Sequence, residues 1–295
     1  PVYVRDRDRA RLWNDFTVDI WNPGSDSHPD ELPFIAGQME RIGVRCFLMP
    51  ANGVPVVLNE GLGVGGGFRG GGDVFCALRS YENHVRAPSW SDPGLLKGLK
   101  DRAEGIAKEE FKYGVVNAAV CDEPNDARPE SADEIDAHPD NLKEYRARMR
   151  GKYGTIEAFN ARCGTGYKTF EDLGIVLTEA ARARTNFAEF VEWRNYNVDR
   201  YIEAIRILSD AGRKLDGAPL SLYNPFGHMA LSANDFWKLL TKAGLDFSHE
   251  YTAMVYMSGV LYGAADEFYR SFRPDMRVWG FIGYYWGARH AAFQP

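Results

Sequence analysis

One short apolar run in the middle of the chain constrains the fold more than any other stretch. Val115–Cys121 is almost wholly apolar and follows Gly114, which is typical of a parallel strand covered on both faces. Pro124 cannot donate to a sheet ladder, so the strand must end at Asp122 and Glu123. Active sites of α/β proteins are built at the carboxyl ends of their strands. We therefore expect these two carboxylates at a functional edge of a sheet.

Further β-rich segments alternate with helical patterns, such as Leu32–Ile42 and a helix that begins at Ser91-Asp92-Pro93 and runs to about Phe111. The predicted strands are Thr17–Trp21, Val44–Met49, either Val54–Leu58 or Val74–Leu78, Val115–Cys121, Leu220–Tyr223, Phe247–Glu250 and Val278–Ile282. This alternation predicts an α/β fold, a (β/α)8 TIM barrel. Because only seven strands are found, we expect the last strand, and any further domains, beyond residue 295, unless the barrel is irregular.

The whole chain, residues 1–295, is interpreted as a single barrel domain, since 295 residues with 45% apolar composition can bury one large core. A helical insertion is predicted at about 126–177, with a charged helix over Asn141–Tyr153 and a short helix capped by Thr155. The longest helical pattern, Thr178–Ala211, then returns the chain to the sheet. Its predicted buried stripe consists of Phe187, Val191, Val198, Tyr201, Ile205 and Leu208.

A glycine-rich segment raises a second hypothesis. Gly61, Gly63 and Gly66 satisfy G-x-G-x-x-G after a predicted strand. A dinucleotide site needs a helix next, to hold the pyrophosphate, whereas here more glycine follows, up to Gly72. We interpret the segment as a loop that is mobile or wraps a ligand, and nucleotide binding as the weaker hypothesis.

Composition and net charge limit the classes of binding partner and cofactor that this chain can have. A net charge of −6 argues against a nucleic-acid partner. No apolar run reaches the roughly 20 residues of a membrane span, and the four cysteines form no C-x-x-C pair, so neither a zinc site nor a disulfide framework is indicated. We expect no metal or other cofactor. A homo-oligomer is possible. The compartment, cytoplasmic or secreted and periplasmic, stays open because the chain starts at Pro1 without Met.

Paired carboxylates at strand ends fit glycoside hydrolysis, which needs a proton donor and a nucleophile or base. Glu123 is the candidate donor, because the charge of Asp122 and the apolar strand both disfavour its ionised form. Glu250, in His249-Glu250-Tyr251 at a later strand end, is the candidate partner. The structural alternatives are that Asp122 and Glu123 cap a helix or bind Arg128, and that Glu250 forms a salt bridge with a helix.

Other side chains near predicted strand ends could contact a sugar. Asp19 and Glu60 could orient a hydroxyl group. Aromatic rings could stack on sugar rings, although packing at the rim is the alternative for each of them. The aromatic candidates are Trp21, Trp90, Tyr223, Tyr251, Tyr284, Tyr285 and Trp286.

Asp122-Glu123-Pro124-Asn125 resembles the acid/base motif, Asn-Glu-Pro with its Asp-Glu-Pro variants, of clan A glycoside hydrolases. Two further stretches and a strand end are similar to glycoside hydrolase family 42, the β-galactosidase type. They are Arg86–Pro93, Lys152–Asn160 before Cys163-Gly164-Thr165, and the end at Asn224.

This resemblance implies a (β/α)8 barrel, a retaining mechanism, Glu123 as acid/base and a nucleophilic Glu at the seventh strand tip. The corresponding segment, Trp279–Gly287, contains no carboxylate, and the zinc-binding cysteines of the family are not visible. The prediction is a divergent relative that cleaves β-linked oligosaccharides with Glu123 and Glu250. A catalytically silent carbohydrate-binding barrel is the alternative. The predicted substrate-binding residues are Asp19, Trp21, Glu60, Arg86, Asp122, Asn125, Asn224, His249, Tyr251, Tyr285 and Trp286.

Overall fold

A computed structural model describes most of the chain. The described residues are 18–21, 31–48, 54–59, 62–66, 69–70, 85–86, 88–115, 117–122, 136–224, 235–252, 267–275 and 277–282.

Within the described residues, seven parallel strands form one sheet in the order β3-β2-β1-β7-β6-β5-β4. The strands are β1 Val18–Trp21, β2 Val44–Leu48, β3 Gly63–Gly65, β4 Ala118–Asp122, β5 Leu220–Asn224, β6 Phe247–Thr252 and β7 Arg277–Ile282. β7 pairs directly with β1, Ile20 opposite Ile282. In the barrel predicted from the sequence, an eighth strand would lie between them.

The helices run between these strands. They are α1 Leu32–Arg41, α2 Val54–Asn59, α3 Pro93–Phe111, α4 Pro139–Tyr153, α5 Ile156–Cys163, α6 Thr178–Arg184, α7 Ala188–Asp216 and α8 Phe236–Lys242, with a 3₁₀ turn at Phe170–Asp172 and a helix at 267–272. Two predicted helix starts are confirmed. Asp92 accepts a hydrogen bond from the Gly94 amide at 2.7 Å, and Thr155 accepts one from the Ala158 amide at 3.2 Å. Within the described ranges, no helix is both long and apolar enough to cross a membrane.

One of the two positions predicted for the third strand is wrong. Val54–Leu58 is helical, because a short apolar run does not distinguish a buried helix from a strand and the run includes Pro55, which suits a first turn. The strand lies instead at Gly63–Gly65, inside the segment interpreted as a loop. The alternative, Val74–Leu78, lies outside the described residues.

Close backbone approach explains the glycine at the end of this strand. A Cβ on Gly66 would lie 2.6 Å from the Asn117 carbonyl oxygen and 2.8 Å from Glu110 Oε2. The Gly66 amide donates to that Asn117 oxygen at 2.6 Å, and the amides of Arg69 and Gly70 donate to Ala119 and Val120 at 2.9 and 2.7 Å. The segment after β3 therefore bonds to the edge of β4 that does not face β5.

The main apolar cluster lies between the sheet and the helices. Ala118, Val120 and Leu220 pack there against α3 and α7, which contribute residues such as Leu99 and Tyr201. Ala119, one position along β4, is also buried but lies outside this cluster, and Ser221, one position along β5 from Leu220, is buried as well. Because side chains alternate along a strand, β4 and β5 are covered on both faces, as the apolar run predicted.

The long helical pattern was predicted as one helix and is two. It breaks at Thr185, whose φ of 51° is left-handed, and Asn186 then accepts a hydrogen bond from the Ala188 amide at 2.9 Å. The predicted stripe is confirmed where α7 faces the sheet, where Val198, Tyr201, Ile205 and Leu208 are buried.

The stripe was wrong at Phe187 and Val191, which are 44% and 48% exposed. The first turns of α7 instead face α4 and α5 through Trp193 and Tyr196. The ring of Trp193 lies edge-on to Tyr145 of α4 at a centroid distance of 4.9 Å. A second apolar cluster forms there, and its buried members are Tyr145, Met149, Ile156, Phe159, Cys163, Phe170, Leu173, Val176, Trp193 and Tyr196.

Candidate active site at the carboxyl end of the sheet

Strand register brings the main chains of four predicted site residues together at the carboxyl end of the sheet. Asp122, the last residue of β4, pairs with Tyr223 of β5, which pairs with His249 of β6. Asn224, the next residue of β5, pairs with Glu250. Asp122, Asn224, His249 and Glu250 therefore occupy adjacent register positions on three neighbouring strands.

β7 and β1, the next two strands of the sheet, contribute residues at the same end. Glu250 pairs with Gly280 of β7, and Tyr251 pairs with Phe281. Asp19 and Trp21 lie in β1, on the far side of β7, where Trp21 pairs with Leu48. β7, Arg277–Ile282, contains no Asp or Glu.

The remaining predicted residues stand differently. Glu60 follows helix α2, so its assignment to a strand end was wrong. The cause is the same as for the strand predicted at Val54–Leu58, because a short apolar run does not distinguish a buried helix from a strand. Glu60 itself lies outside the described residues, as do Glu123, Asn125, Tyr284, Tyr285 and Trp286.

The Arg86 side chain is buried, with only 2% of its surface exposed. Its guanidinium carbon lies 3.4 Å from the centre of the Trp90 ring, and Nη1 donates to the Pro88 carbonyl at 2.5 Å. Trp90 is itself buried and packs on Tyr201 with ring centroids 5.8 Å apart. For Trp90, the packing alternative is therefore the observed one.

Sequence reasoning missed Asp136 and Asn141, two buried polar residues near the segment that contains Arg86 and Trp90. Asp136 Oδ1 accepts from the Arg86 amide at 3.3 Å, and its Oδ2 accepts from the Ser89 hydroxyl. Asn141 Nδ2 donates to the Asp136 carbonyl at 2.6 Å and to Asn197 Oδ1 at 2.9 Å. Asp136 lies in a stretch that was interpreted as a loop. The available signal was Pro139, which marks the start of α4 shortly after Asp136.

Two neutral hydrogen-bond donors and an ion pair lie close to Asn141. The Ser91 and Tyr196 hydroxyls donate to Asn141 Oδ1 at 2.9 and 3.0 Å. Burial raises the pKa of Tyr196 far above its ordinary value of 10.0, so its hydroxyl remains a donor at neutral pH. Arg200 pairs with Glu144 at 3.2 Å and donates to the Trp90 carbonyl. These contacts join the segment before α3 to α4 and α7.

Metal-binding chemistry has no candidate ligand set in the part of the chain that the structure describes, where no three His, Cys, Asp or Glu side chains are grouped for it. Cys46 and Cys163 are free and buried. Burial raises the pKa of the Cys163 thiol to about 11, so this thiol is not an activated nucleophile.

No family model matches this sequence, and a search of curated proteins found no match. Solved structures are similar. β-Galactosidase from Bacillus circulans sp. alkalophilus matches with a TM-score of 0.65 at 12% identity, over 87% of this chain and 42% of that one. β-Galactosidase from the psychrophilic Marinomonas ef1 matches with a TM-score of 0.62 at 15% identity, over 90% and 47%.

The catalytic domain of β-amylase from Paenibacillus polymyxa matches with a TM-score of 0.66 at 12% identity, over 90% of this chain and 85% of that domain. The present chain spans less than half the length of either β-galactosidase chain. At these identities the similarity concerns the fold alone. The chain has the α/β fold of solved glycoside hydrolases.

Proposed function

We propose that this protein is a glycoside hydrolase that cleaves β-linked oligosaccharides or polysaccharide fragments, as a divergent relative of family 42. The observation that carries the proposal is the fold shared with two β-galactosidases and a β-amylase over 87 to 90% of the chain. Asp122-Glu123-Pro124-Asn125 supports it, because Asp122 ends β4 at the carboxyl edge of the sheet.

The sheet is proposed to close into a barrel of the (β/α)8 type. Its outermost strands are β3 and β4, and the segment after β3 donates three main-chain hydrogen bonds to carbonyls from Asn117 to Val120. Ala119 and Ser221 alternate along their strands with Ala118 and Leu220 of the main apolar cluster, and both are buried, as residues inside a small barrel are. The stretch at about 126–177, which contains helices α4 and α5, is proposed to be an insertion into this single domain. Carbohydrate would bind where the carboxyl ends of the strands converge.

In the proposed retaining mechanism, Glu123 protonates the glycosidic oxygen and Glu250 attacks the anomeric carbon. β4 and β6 are separated by β5, so their main chains lie about 9 to 10 Å apart at the usual strand spacing. Two glutamate side chains can reduce that separation to the roughly 5–5.5 Å found between the carboxyl groups of retaining enzymes. A distance of about 6.5–9.5 Å between the two carboxyl groups would instead indicate an inverting enzyme. Carboxyl groups further apart than that would exclude Glu250 as the partner.

The substitution Glu123→Gln tests the acid role. We expect kcat/KM to fall about 10²- to 10⁴-fold on oligosaccharides with poor leaving groups, and much less on nitrophenyl glycosides, whose leaving group needs little protonation. Steady-state kinetics on both substrate types measures this. Glu157→Gln is the control, because Glu157 is exposed on α5, and it should leave both rates unchanged. An equal loss on both substrates would contradict the acid role of Glu123.

A second candidate function is a carbohydrate-binding barrel without catalysis. It is favoured by the sequence of β7, Arg277–Ile282, which lacks the carboxylate that the family resemblance implies. A panel of nitrophenyl glycosides separates the two functions. A binder would melt at a higher temperature with sugar yet release no nitrophenol, whereas an enzyme would release it.

A further inference from the structure

Asn117, the residue before β4, is a buried polar residue that the candidate site does not use. It is 1% exposed, yet within the described part of the chain neither Oδ1 nor Nδ2 of its side chain has a hydrogen-bond partner. Buried side-chain amides are nearly always hydrogen-bonded, because an unpaired amide loses its bonds to water on folding and gains none in return. The amide of Asn117 therefore needs a partner that the described residues do not supply.

Hydrogen bonds on both sides hold the main chain at Asn117. Its carbonyl oxygen accepts from the Gly66 amide at 2.6 Å. The amide of Ala118, the next residue, donates to the Pro219 carbonyl oxygen at 2.8 Å. A movement of the main chain that would bring the Asn117 side chain into solvent has to break these bonds, so the burial of the amide is a stable feature of this part of the sheet.

The alternation of side chains shows which face of the sheet carries this amide. Ala118 belongs to the main apolar cluster, between the sheet and the helices, whereas Ala119 is buried outside that cluster. Because successive side chains of an extended chain point to opposite faces, Asn117 shares the face of Ala119. The amide therefore lies on the face turned away from the helices, and that face is closed to bulk solvent.

The chemistry of an amide limits what can bind to it. Oδ1 needs a hydrogen-bond donor, and Nδ2 needs an acceptor for its hydrogens. A cation would satisfy only Oδ1 and an anion only Nδ2, whereas water both donates and accepts. Asn117 also precedes Asp122 by five residues, which puts it roughly 15 Å along the strand from the carboxyl end of the sheet. A carbohydrate at the proposed site does not reach it.

We propose that Asn117 is a binding site for buried water at the amino end of the sheet, where one or more water molecules donate to Oδ1 and accept from Nδ2. Buried waters of this kind occupy polar sites in protein interiors and make about three hydrogen bonds each. The inference is independent of the proposed function, because it concerns the opposite end of the sheet and holds whether or not the protein hydrolyses glycosides.

A high-resolution crystal structure of the whole chain tests the site directly. We expect solvent density at about 2.7–3.2 Å from both Oδ1 and Nδ2 of Asn117. Asn141 is the matched control in the same crystal, because it is equally buried and its Nδ2 donates to the Asp136 carbonyl and to Asn197 Oδ1 at 2.6 and 2.9 Å. No solvent is expected at that Nδ2. A protein group bonded to the Asn117 amide in place of water, or no density there, would overturn the proposal.

Two substitutions test the hydration in solution, with the equilibrium constant of unfolding in urea as the readout. Asn117→Val replaces the amide by methyl groups, which cannot bond to the water, so the constant should rise about 10- to 100-fold. Asn117→Ala leaves space that a further water can fill, so the constant should rise less.

An amide without water predicts the reverse order for the two variants. Val would then remove an unpaired polar group and stabilise the protein, whereas Ala would leave an empty cavity. A Val variant that is at least as stable as the wild type, or less destabilised than the Ala variant, would therefore contradict the proposal. If neither variant folds, the crystal structure of the wild type decides the question.

Discussion

At the scale of single residues, the most demanding environment in the second apolar cluster surrounds Glu189. This carboxylate is 2% exposed, and it is bonded to Arg184 at 2.7 Å and to the Tyr167 hydroxyl at 2.6 Å. A buried charge is tolerated only when it is paired and hydrogen-bonded, and here one cation and one phenol meet that requirement. Burial, followed by the bond to Glu189, raises the pKa of Tyr167 to about 12.

This shift predicts weaker folding at high pH. The unfolded chain loses the Tyr167 proton near pH 10, whereas the folded protein retains it, so the contribution is complete below pH 10 and disappears as the pH rises towards 12. Tyr167→Phe should remove up to about 1.4 kcal/mol per pH unit from the slope of unfolding free energy in that window. Urea unfolding at pH 8, 10 and 11 measures it. A slope equal to that of the wild type would contradict this assignment.

At the scale of elements, the junction of β3 and β4 with the helices depends on one buried arginine. Arg69 follows β3, is 1% exposed, and pairs with Glu110 of α3 at 3.2 Å. Its guanidinium also lies against Gly212 of α7, at the position a Cβ would occupy. A glycine inside a long helix, otherwise unfavourable, is thereby explained by close approach.

Gly212→Ala should therefore destabilise the protein by about 1 to 3 kcal/mol, because the added methyl collides with a side chain held by an ion pair. The matched control is Gly105→Ala in α3, where a Cβ meets nothing within 4 Å. That change should stabilise by about 0.5 to 1 kcal/mol through helix propensity. Urea midpoints measure both. Stabilisation by both substitutions would show that Arg69 does not occupy this position.

At the scale of the whole molecule, α7 connects the two apolar clusters. Its first half supplies Trp193 and Tyr196 to the second cluster, and its later turns supply Tyr201, Ile205 and Leu208 to the main cluster. One continuous helix shared by two cores should couple their unfolding.

Phe159→Ala in the second cluster tests this coupling. Phe159 is fully buried, so its truncation should cost about 3 to 5 kcal/mol. If α7 couples the cores, fluorescence and far-UV circular dichroism will follow one transition at a lower midpoint. Two separated transitions would mean that the cores unfold independently. Phe187→Ala, at a side chain 44% exposed, is the control and should cost much less.

Much of the architecture was readable from local patterns. Strands β1, β2, β4, β5, β6 and β7 and the helix starts at Asp92 and Thr155 were predicted to within a few residues, because apolar runs and capping residues act locally. The third strand could not be predicted, since Gly63–Gly65 has no strand-like residues apart from Val64. Glycine is required at Gly66 by the backbone of Asn117, which is distant in sequence.

The sequence by itself determined the alternation of strands and helices and put Asp122, Asn224 and Glu250 near strand ends, because turn residues and apolar runs carry that information locally. Only the tertiary structure decided the strand order that makes Glu250 a neighbour of Asn224, and the burial of Asp136 against Arg86 and Ser89. Those contacts join residues tens of positions apart. Their stability comes from packing and the exclusion of water, which no local pattern encodes.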